Sequence, residues 1–264
     1  MTFRNAARIV VALAAGIAVT TARAEIVQRT VEYKQGDTVL EGLLAYDTAG
    51  PAKRPGVLVV HDWTGVGPYT KRRVEQLAKM GYVVFAADIY GKGVRPANPK
   101  EAAATSGPYF KDRALVRARV NAAFQELENQ PNLDKGKIAA IGYCFGGMTV
   151  LELARSGAPV AGVVSFHGIL GTPTPADARN IKGKVLVLHG ADDPYVPPEQ
   201  VKAFEDEMNA AKVDWQLDVY SDAVHAFTIP EAGNDKSKGA AYNARADRRS
   251  WKAMEDFFAE IFSG

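Results

Sequence analysis

The alternation of apolar and polar positions predicts a chain in which strands and helices take turns. Residues 26–34 and 39–46 alternate in polarity around Gln35-Gly36-Asp37, which predicts a β-hairpin. Short, continuous apolar runs follow it, as expected of strands buried on both faces of a sheet, and segments with helical spacing separate them. The runs predict strands at 57–60, 82–87, 138–143, 160–166, 184–188 and 214–220. The helical spacing predicts helices at 70–80, 112–128, 144–154, 199–211 and 242–262.

This order of elements predicts an α/β fold. We expect a mostly parallel, doubly wound sheet with helices on both faces and an antiparallel hairpin at its N-terminal end. Residues 50–56 are predicted to form a loop from their glycine and proline content. Residues 96–109 are predicted to be irregular, with one short helix near 100–106. No repeat or linker divides the chain, so residues 25–264 are predicted to form a single domain.

The first 24 residues have the pattern of a secretory signal peptide. Arg4 and Arg8 precede an apolar run at 9–19, and Ala22-Arg23-Ala24 resembles a cleavage site. The run is shorter than the roughly 20 residues of a membrane-spanning helix. An uncleaved membrane anchor is the alternative. Cleavage after Ala24 would remove three arginines and change the formal net charge from +2 to −1. We therefore expect a periplasmic or secreted protein with no membrane attachment after cleavage.

Composition narrows the possible classes of function. The chain has 264 residues, of which 47% are hydrophobic and 23% charged, and this fits a globular protein with a substantial core. Because the charges balance and no basic cluster stands out, nucleic acid is not an expected partner. Cys144 is the single cysteine. One cysteine cannot form an internal disulfide in an oxidising compartment, so this thiol is either an inert buried side chain or a reactive one.

Cys144 lies in the pattern Gly142-Tyr143-Cys144-Phe145-Gly146, between a predicted strand and a predicted helix. This layout is typical of a nucleophile elbow, a sharp strand-to-helix turn that holds a reactive side chain at the edge of a sheet. Glycines fit two residues before and two after the nucleophile because these positions crowd together in the turn. The amides at the start of the helix would stabilise a thiolate. We interpret Cys144 as a nucleophile rather than a buried apolar side chain.

An acid and a histidine follow Cys144 in the chain order of α/β-hydrolase triads. The acid is Asp193 or its neighbour Asp192, and the Gly-x-x-Asp pattern that begins at Gly190 favours Asp193. Among the four histidines, only His225 comes after this loop. His225 would take the proton of the thiol, and the carboxylate would accept the Nδ1 hydrogen of the imidazole.

Two backbone amides are candidates for the oxyanion hole that acyl transfer requires. One belongs to Phe145, next after the nucleophile, and the other to Trp63, in the loop that follows the strand at 57–60. The histidines suggest a metal site as an alternative, formed by His61, His167 and His225. No helical pair of ligands accompanies them, so a metal is not expected.

Five segments together resemble the dienelactone hydrolase family of the α/β-hydrolase superfamily. They are residues 142–147, 190–193, 225–227, 61–65 and 88–92, and they occur in the order expected for that family. The resemblance covers essentially all of residues 25–264. It implies a Cys-His-Asp triad that hydrolyses enol lactones or related esters, without a metal or an organic cofactor.

The resemblance also implies substrate-binding residues, and the chain departs from the family at several of them. Asp62 stands where members that open dienelactone have a glutamate that keeps the resting cysteine neutral. Lys92 stands where they have an arginine for the substrate carboxylate, and Ile229 lies near the position of a second arginine. Arg95 is close enough in sequence to compensate. The predicted substrate-binding residues are Asp62, Tyr90, Lys92, Arg95 and Phe227.

These features predict an exported hydrolase that cleaves an ester, lactone or enol lactone through a thioester on Cys144. One alternative is a non-catalytic binding or thiol-sensing protein on a hydrolase scaffold. A thioesterase or thiol peptidase is another, because a triad alone does not distinguish these reactions. The expected partner is a small-molecule ester or lactone. A monomer is expected, and a homodimer is the alternative.

Overall fold

The computed structural model describes residues 25–263, so the predicted signal peptide at 1–24 and the final residue lie outside the described part. Its strands are β1 (Ile26–Gln35), β2 (Thr38–Asp47), β3 (Arg54–Val60), β4 (Val83–Ala87), β5 (Leu133–Tyr143), β6 (Gly162–Phe166), β7 (Lys184–Gly190) and β8 (Trp215–Tyr220). They form one sheet in the order β1-β2-β4-β3-β5-β6-β7-β8. β2 pairs antiparallel with β1 and β4, and all other pairs are parallel. The predicted α/β fold with an N-terminal hairpin is confirmed.

Helices cover both faces of this sheet. They are α1 (Pro68–Lys79), α2 (Pro99–Lys111), α3 (Arg113–Glu128), α4 (Phe145–Arg155), α5 (Pro198–Ala211) and α6 (Ala244–Phe262). Buried apolar residues of α3, α4 and α5 belong to one core cluster, and those of α1 and α6 belong to a second cluster on the opposite face. No helix within residues 25–263 is long and apolar enough to cross a membrane.

The central strands supply both cores because successive side chains of a strand point to opposite faces. In β3, Leu58 and Val60 enter the first cluster, while Val57 and Val59 enter the second. All four side chains are fully buried. The continuous apolar runs that predicted these strands therefore reflect burial on both sides of the sheet.

The short helix predicted near 100–106 is present, but it is longer than predicted: α2 extends over Pro99–Lys111, so most of the segment predicted to be irregular is helical. The Asn98 side chain accepts a hydrogen bond from the amide of Glu101 at 3.0 Å, and the Glu101 carboxylate accepts one from the amide of Ala97 at 2.9 Å. Proline at the first helical position suits this cap, since its missing N–H would be unpaired there in any case. The capping signal was present in the sequence, but the interior Pro108 and weak apolar spacing obscured it.

Candidate active site

Cys144 occupies a strained turn between β5 and α4. Its φ is 56° and its ψ is −111°, a backbone conformation that residues other than glycine rarely adopt. A Cβ atom on Gly142 would lie 2.0 Å from the carbonyl oxygen of Gly146, and one on Gly146 would lie 2.3 Å from that of Val60. Both glycines are therefore required by close backbone contacts. The predicted elbow geometry is present.

The structure brings the three predicted triad residues together. Nε2 of His225 lies 3.0 Å from Sγ of Cys144, and Nδ1 lies 2.8 Å from Oδ2 of Asp193. The other carboxylate oxygen of Asp193 accepts a hydrogen bond from the amide of Tyr195 at 2.9 Å. Asp193 is buried, whereas Asp192 is exposed and joins the loop only through its backbone. The acid beside the imidazole is therefore Asp193.

The pKa values of His225 and of its neighbour His167 are shifted in opposite directions. Burial by itself would lower the pKa of His225, but the negative charge of Cys144 and the hydrogen bonds with Asp193 and Cys144 outweigh it and raise that pKa to about 10. The neighbouring His167 behaves in the opposite way. Burial first, and then the positive charge of His225, hold the pKa of His167 well below its ordinary value. His225 is therefore the protonated histidine of the pair near neutral pH.

Two backbone hydrogen bonds hold His225 in its loop. The amide of His225 donates to the carbonyl of Gly239 at 3.2 Å, and the carbonyl of His225 accepts from the amide of Ala241 at 3.0 Å. Phe227, a predicted substrate-binding residue, is fully buried. Its ring packs against His167 at a centroid distance of 5.1 Å. Phe227 therefore supports the histidine loop from inside the protein and does not face the substrate side.

A chain of buried hydrogen bonds, which sequence reasoning missed, extends behind the triad. Nε2 of His167 lies 2.7 Å from Oγ1 of Thr228, and the same hydroxyl lies 2.7 Å from the hydroxyl of Tyr69. Nε of Arg73 donates to Tyr69 at 3.1 Å, and the Arg73 guanidinium also pairs with Asp247. We call these five residues the support network. They come from four distant parts of the chain, so no local pattern could reveal them.

The two predicted oxyanion amides both lie just beyond the carboxyl ends of strands. Phe145 is the first residue of α4, and Trp63 follows β3. Within residues 25–263, neither amide donates a hydrogen bond to another protein group. The hydroxyl of Tyr90 donates to the Trp63 carbonyl at 3.1 Å. Burial first, and then the charge of Cys144, raise the pKa of Tyr90 well above its ordinary value, so this hydroxyl remains a donor.

Asp62 organises its own loop. One of its carboxylate oxygens accepts hydrogen bonds from the amide of Thr64 at 2.7 Å and from its hydroxyl at 2.5 Å. Nδ1 of His61 lies 2.5 Å from the Asp62 carbonyl, and Nε2 accepts from the amide of Ile89 at 3.2 Å, which fixes the tautomer with hydrogen on Nδ1. In the described part of the chain, the thiol of Cys144 has a hydrogen-bond partner in His225 and none in Asp62.

The structure engages Lys92 and Arg95 with other groups of the protein. The ammonium of Lys92 pairs with Glu32 on β1 at 2.5 Å. Arg95 donates to the Val66 carbonyl at 3.1 Å and lies 3.8 Å from the carboxylate of Asp88. Both cations are therefore occupied by the protein itself.

The histidines do not converge on a metal site. Within residues 25–263, no group of three or more histidine, cysteine or acidic side chains is arranged to hold a metal ion. Nδ1 of His61 contacts the Asp62 carbonyl, Nε2 of His167 contacts the Thr228 hydroxyl, and His225 joins Cys144 to Asp193.

Comparison with known proteins agrees with this arrangement. A sequence profile of the Dienelactone hydrolase family matches residues 40–262. The chain belongs to this family. A crystal structure of a dienelactone hydrolase-like promiscuous phosphotriesterase from metagenomic libraries is 42% identical, covers 89% of this chain and 98% of its own, and superposes with a TM-score of 0.84.

Two more distant proteins also match most of the chain, at lower sequence identity. A carboxymethylenebutenolidase homolog of Mus musculus is 27% identical over 193 residues, which are 71% of this chain and 77% of the mouse protein. The dienelactone hydrolase of Anabaena variabilis has a TM-score of 0.62 at 20% identity, over 87% of this chain and 98% of its own. The similarity to the Anabaena variabilis structure establishes a shared fold. The resemblance predicted from five sequence segments is confirmed, and the chain is a hydrolase of the dienelactone hydrolase type.

Proposed function

We propose that this member of the dienelactone hydrolase family hydrolyses a carboxylic ester or lactone with Cys144 as the nucleophile. The observation that carries the proposal is the position of His225, whose two ring nitrogens lie 3.0 Å from the thiol and 2.8 Å from Asp193. A thiol in hydrogen-bond contact with an oriented imidazole is the arrangement that nucleophilic catalysis requires.

The first half of the reaction forms a thioester. The thiolate of Cys144 attacks the carbonyl carbon, and the carbonyl electrons move onto its oxygen. The free amides of Phe145 and Trp63 are the donors proposed to stabilise that oxyanion. The intermediate then collapses, the carbon–oxygen bond to the leaving alcohol breaks, and His225 gives its proton to the alcohol.

The second half regenerates the thiol pair. Neutral His225 takes a proton from water while the water oxygen attacks the thioester carbonyl. The second tetrahedral intermediate releases the carboxylic acid, and the sulfur leaves as a thiolate beside the imidazolium. Asp193 holds the imidazole in the required tautomer through both halves. The carbon–sulfur bond that forms in the first half is broken in the second, and His225 regains from water the proton that it gave to the alcohol, so the thiolate and the imidazolium are restored.

Hydrolysis of 4-nitrophenyl acetate by wild type, Cys144→Ala and Cys144→Ser tests the proposal. We expect turnover by wild type, loss of activity in Cys144→Ala, and an acyl group on Cys144 that mass spectrometry detects after rapid acid quench. Equal rates for wild type and Cys144→Ala would refute the nucleophile. Rapid alkylation of Cys144 without ester turnover would favour the thiol-sensing alternative. Preference for thioesters or peptides over oxygen esters would favour the remaining alternatives.

Phosphotriester hydrolysis is a second candidate activity. The metagenomic relative described as a promiscuous phosphotriesterase is 42% identical and matches nearly its full length. At the same site, the thiolate would attack phosphorus, an aryloxide would leave with the proton of His225, and water would then release the phosphodiester. The test is release of 4-nitrophenol from paraoxon by wild type and Cys144→Ala.

We further propose that the protein is exported, because residues 1–24 have a basic start, an apolar run and an Ala-x-Ala site. Expression of the full chain in a bacterium, followed by osmotic shock and N-terminal sequencing, tests this. A periplasmic chain that begins at Glu25 is expected. A full-length chain in the membrane fraction would support the anchor instead.

A further inference from the structure

Exposed aromatic side chains occur on segments that adjoin the triad. Six large hydrophobic residues of the described chain are substantially exposed: Trp63, Met80, Val94, Phe110, Tyr195 and Val219. The three aromatic ones, Trp63, Phe110 and Tyr195, are 36%, 36% and 52% exposed and all connect to the site. We call these three residues the aromatic rim. Exposed aromatic side chains beside a reactive group are typical of a surface that binds an apolar ligand.

Each member of the rim is one or two contacts from the reacting atoms. The ring of Tyr195 stands edge-on to His225 at a centroid distance of 5.1 Å. The ring of Phe110 stands edge-on to Phe145, the residue after the nucleophile, at 5.6 Å. The peptide of Trp63 is held by the hydroxyl of Tyr90, whose ring packs on Phe145 at 5.3 Å. The rim residues therefore come from three segments that adjoin the site: the loop after β3, the end of α2 and the acid loop.

The charges around the rim disfavour an anionic substrate. Lys92 and Arg95 are engaged by Glu32, Asp88 and backbone carbonyls, as described above. Asp192, in the acid loop, adds an exposed carboxylate, whereas Asp193 is paired with His225. A substrate carboxylate would have to displace Glu32 or Asp88 to pair with Lys92 or Arg95.

Arg113 lies beside Phe110, with its guanidinium 5.9 Å from the centre of the ring. One of its terminal nitrogens donates to the carbonyl of Gly171 at 3.3 Å, whereas Nε and the other terminal nitrogen are buried and have no hydrogen-bond partner in the described part of the chain. Because both of these nitrogens are buried, a substrate on the exposed face of the rim does not reach them.

From this juxtaposition we infer that the site selects neutral esters with a large apolar or aromatic acyl group, held against Trp63, Phe110 and Tyr195. The inference rests on the proposed function, because it assigns a substrate class to the same triad. It differs from the substrate that the family name implies, which carries a carboxylate. Apolar contact with the rim stabilises the bound acyl group, and its neutrality avoids repulsion by the acids.

A matched pair of substrates tests the charge preference. 4-Nitrophenyl butyrate and 4-nitrophenyl hemisuccinate share a leaving group and nearly the same acyl length, but only the second ends in a carboxylate. We expect kcat/KM of the wild type to be at least about tenfold higher for the butyrate, a factor that corresponds to one unfavourable charge contact. A ratio near one, or a preference for the hemisuccinate, would overturn the inference.

Truncation of the rim tests the apolar contacts. For Phe110→Ala and Tyr195→Ala, we expect the ratio of kcat/KM for 4-nitrophenyl phenylacetate over 4-nitrophenyl acetate to fall about five- to tenfold, because a buried aromatic contact is lost. Using a ratio cancels any general effect on the triad. Met80→Ala is the matched control, since Met80 is an exposed apolar residue at the end of α1, and its ratio should equal that of wild type. An unchanged ratio in both rim variants would refute the role of the rim.

The two proposals fail in different ways. If wild type hydrolyses none of these esters while Cys144 remains alkylatable, the proposed function is wrong and the substrate class falls with it. If wild type hydrolyses 4-nitrophenyl acetate in a Cys144-dependent reaction but shows neither preference, only the inference about the rim is wrong. Circular dichroism of each variant checks that the fold is retained, and Phe110→Leu provides a less disruptive substitution if Phe110→Ala does not fold.

Discussion

His167 stands edge-on to His225, with ring centroids 5.3 Å apart, and no hydrogen bond joins the two imidazoles. His225 directs its nitrogens to Cys144 and Asp193, whereas His167 directs Nε2 to Thr228. Because burial keeps His167 neutral, it can lie beside a protonated His225 without adding a second charge. The support network thus holds the loop of His225 from behind while leaving its proton to the triad.

Tyr69→Phe tests the contribution of this network to stability. The change removes a buried hydroxyl that accepts from Arg73 and pairs with Thr228, so both partners lose a hydrogen bond. We expect the free energy of unfolding, measured by urea denaturation, to fall by about 1–3 kcal/mol. Tyr82→Phe is the control, because no hydrogen bond of the Tyr82 hydroxyl is present within residues 25–263 and its ring packs on Phe258. Equal losses in both variants would contradict a specific role.

Asp193→Asn tests the assignment of the acid. An amide cannot accept the Nδ1 hydrogen in the same way as a carboxylate and favours the wrong tautomer of His225, so we expect kcat for ester hydrolysis to fall on the order of 10³–10⁴-fold. Asp192→Asn makes the same chemical change at the exposed neighbour and should retain kcat within about twofold. The assignment would be reversed if Asp192→Asn were the inactive variant.

Gly142→Ala tests the packing of the elbow. The added Cβ would lie 2.0 Å from a backbone oxygen of Gly146, which no side-chain movement can relieve. We expect the free energy of unfolding to fall by at least about 3 kcal/mol, or the protein not to fold. Gly136→Ala, in β5, is the control, because its added Cβ would make only an ordinary contact with the Asp134 carboxylate at 3.5 Å. Its free energy of unfolding should stay within about 1 kcal/mol of that of wild type. Thermal and urea denaturation measure both effects.

The pKa of His225 gives a pH-dependent prediction. Because contact with the charge of Cys144 raises that pKa to about 10, the imidazole stays protonated below this pH and loses its proton as the pH rises through it. Cys144→Ala removes the raising charge, while burial continues to lower the pKa, so the titration should move to lower pH. NMR titration of isotope-labelled histidine in both proteins measures the shift. An identical His225 titration in the variant would contradict the coupling.

The same reasoning predicts how alkylation of Cys144 depends on pH. In wild type, Nε2 of His225 lies 3.0 Å from the thiol and can take its proton, so labelling by iodoacetamide should already be rapid at pH 6–7. His225→Gln removes the protonated partner and should slow labelling at pH 7 by roughly tenfold or more. Labelling of the denatured protein, in which Cys144 has an ordinary environment, provides the reference rate. Equal rates for wild type and His225→Gln would refute activation by the imidazole.

The sequence by itself determined the order of the elements and indicated the residues that the fold brings together at the candidate site. Continuous apolar runs such as 57–60 arise only where a strand is covered on both faces, and this identified the parallel sheet. Glycines flanked Cys144 because the elbow leaves no room for a Cβ atom, so the turn was visible in local sequence. Asp193 and His225 were predictable because strand order in this fold brings their two loops to one edge.

Only the tertiary structure decided how the surrounding side chains are used. Lys92 and Arg95 follow the right strand, but their long side chains turn to acids and carbonyls on other elements. Phe227 lies two residues after His225 and yet is buried in the core. The support network joins Tyr69 to Thr228 and His167, which are distant in sequence. Local patterns fix where a backbone turns, whereas the partner of a flexible or buried side chain depends on which distant segments the completed fold places beside it.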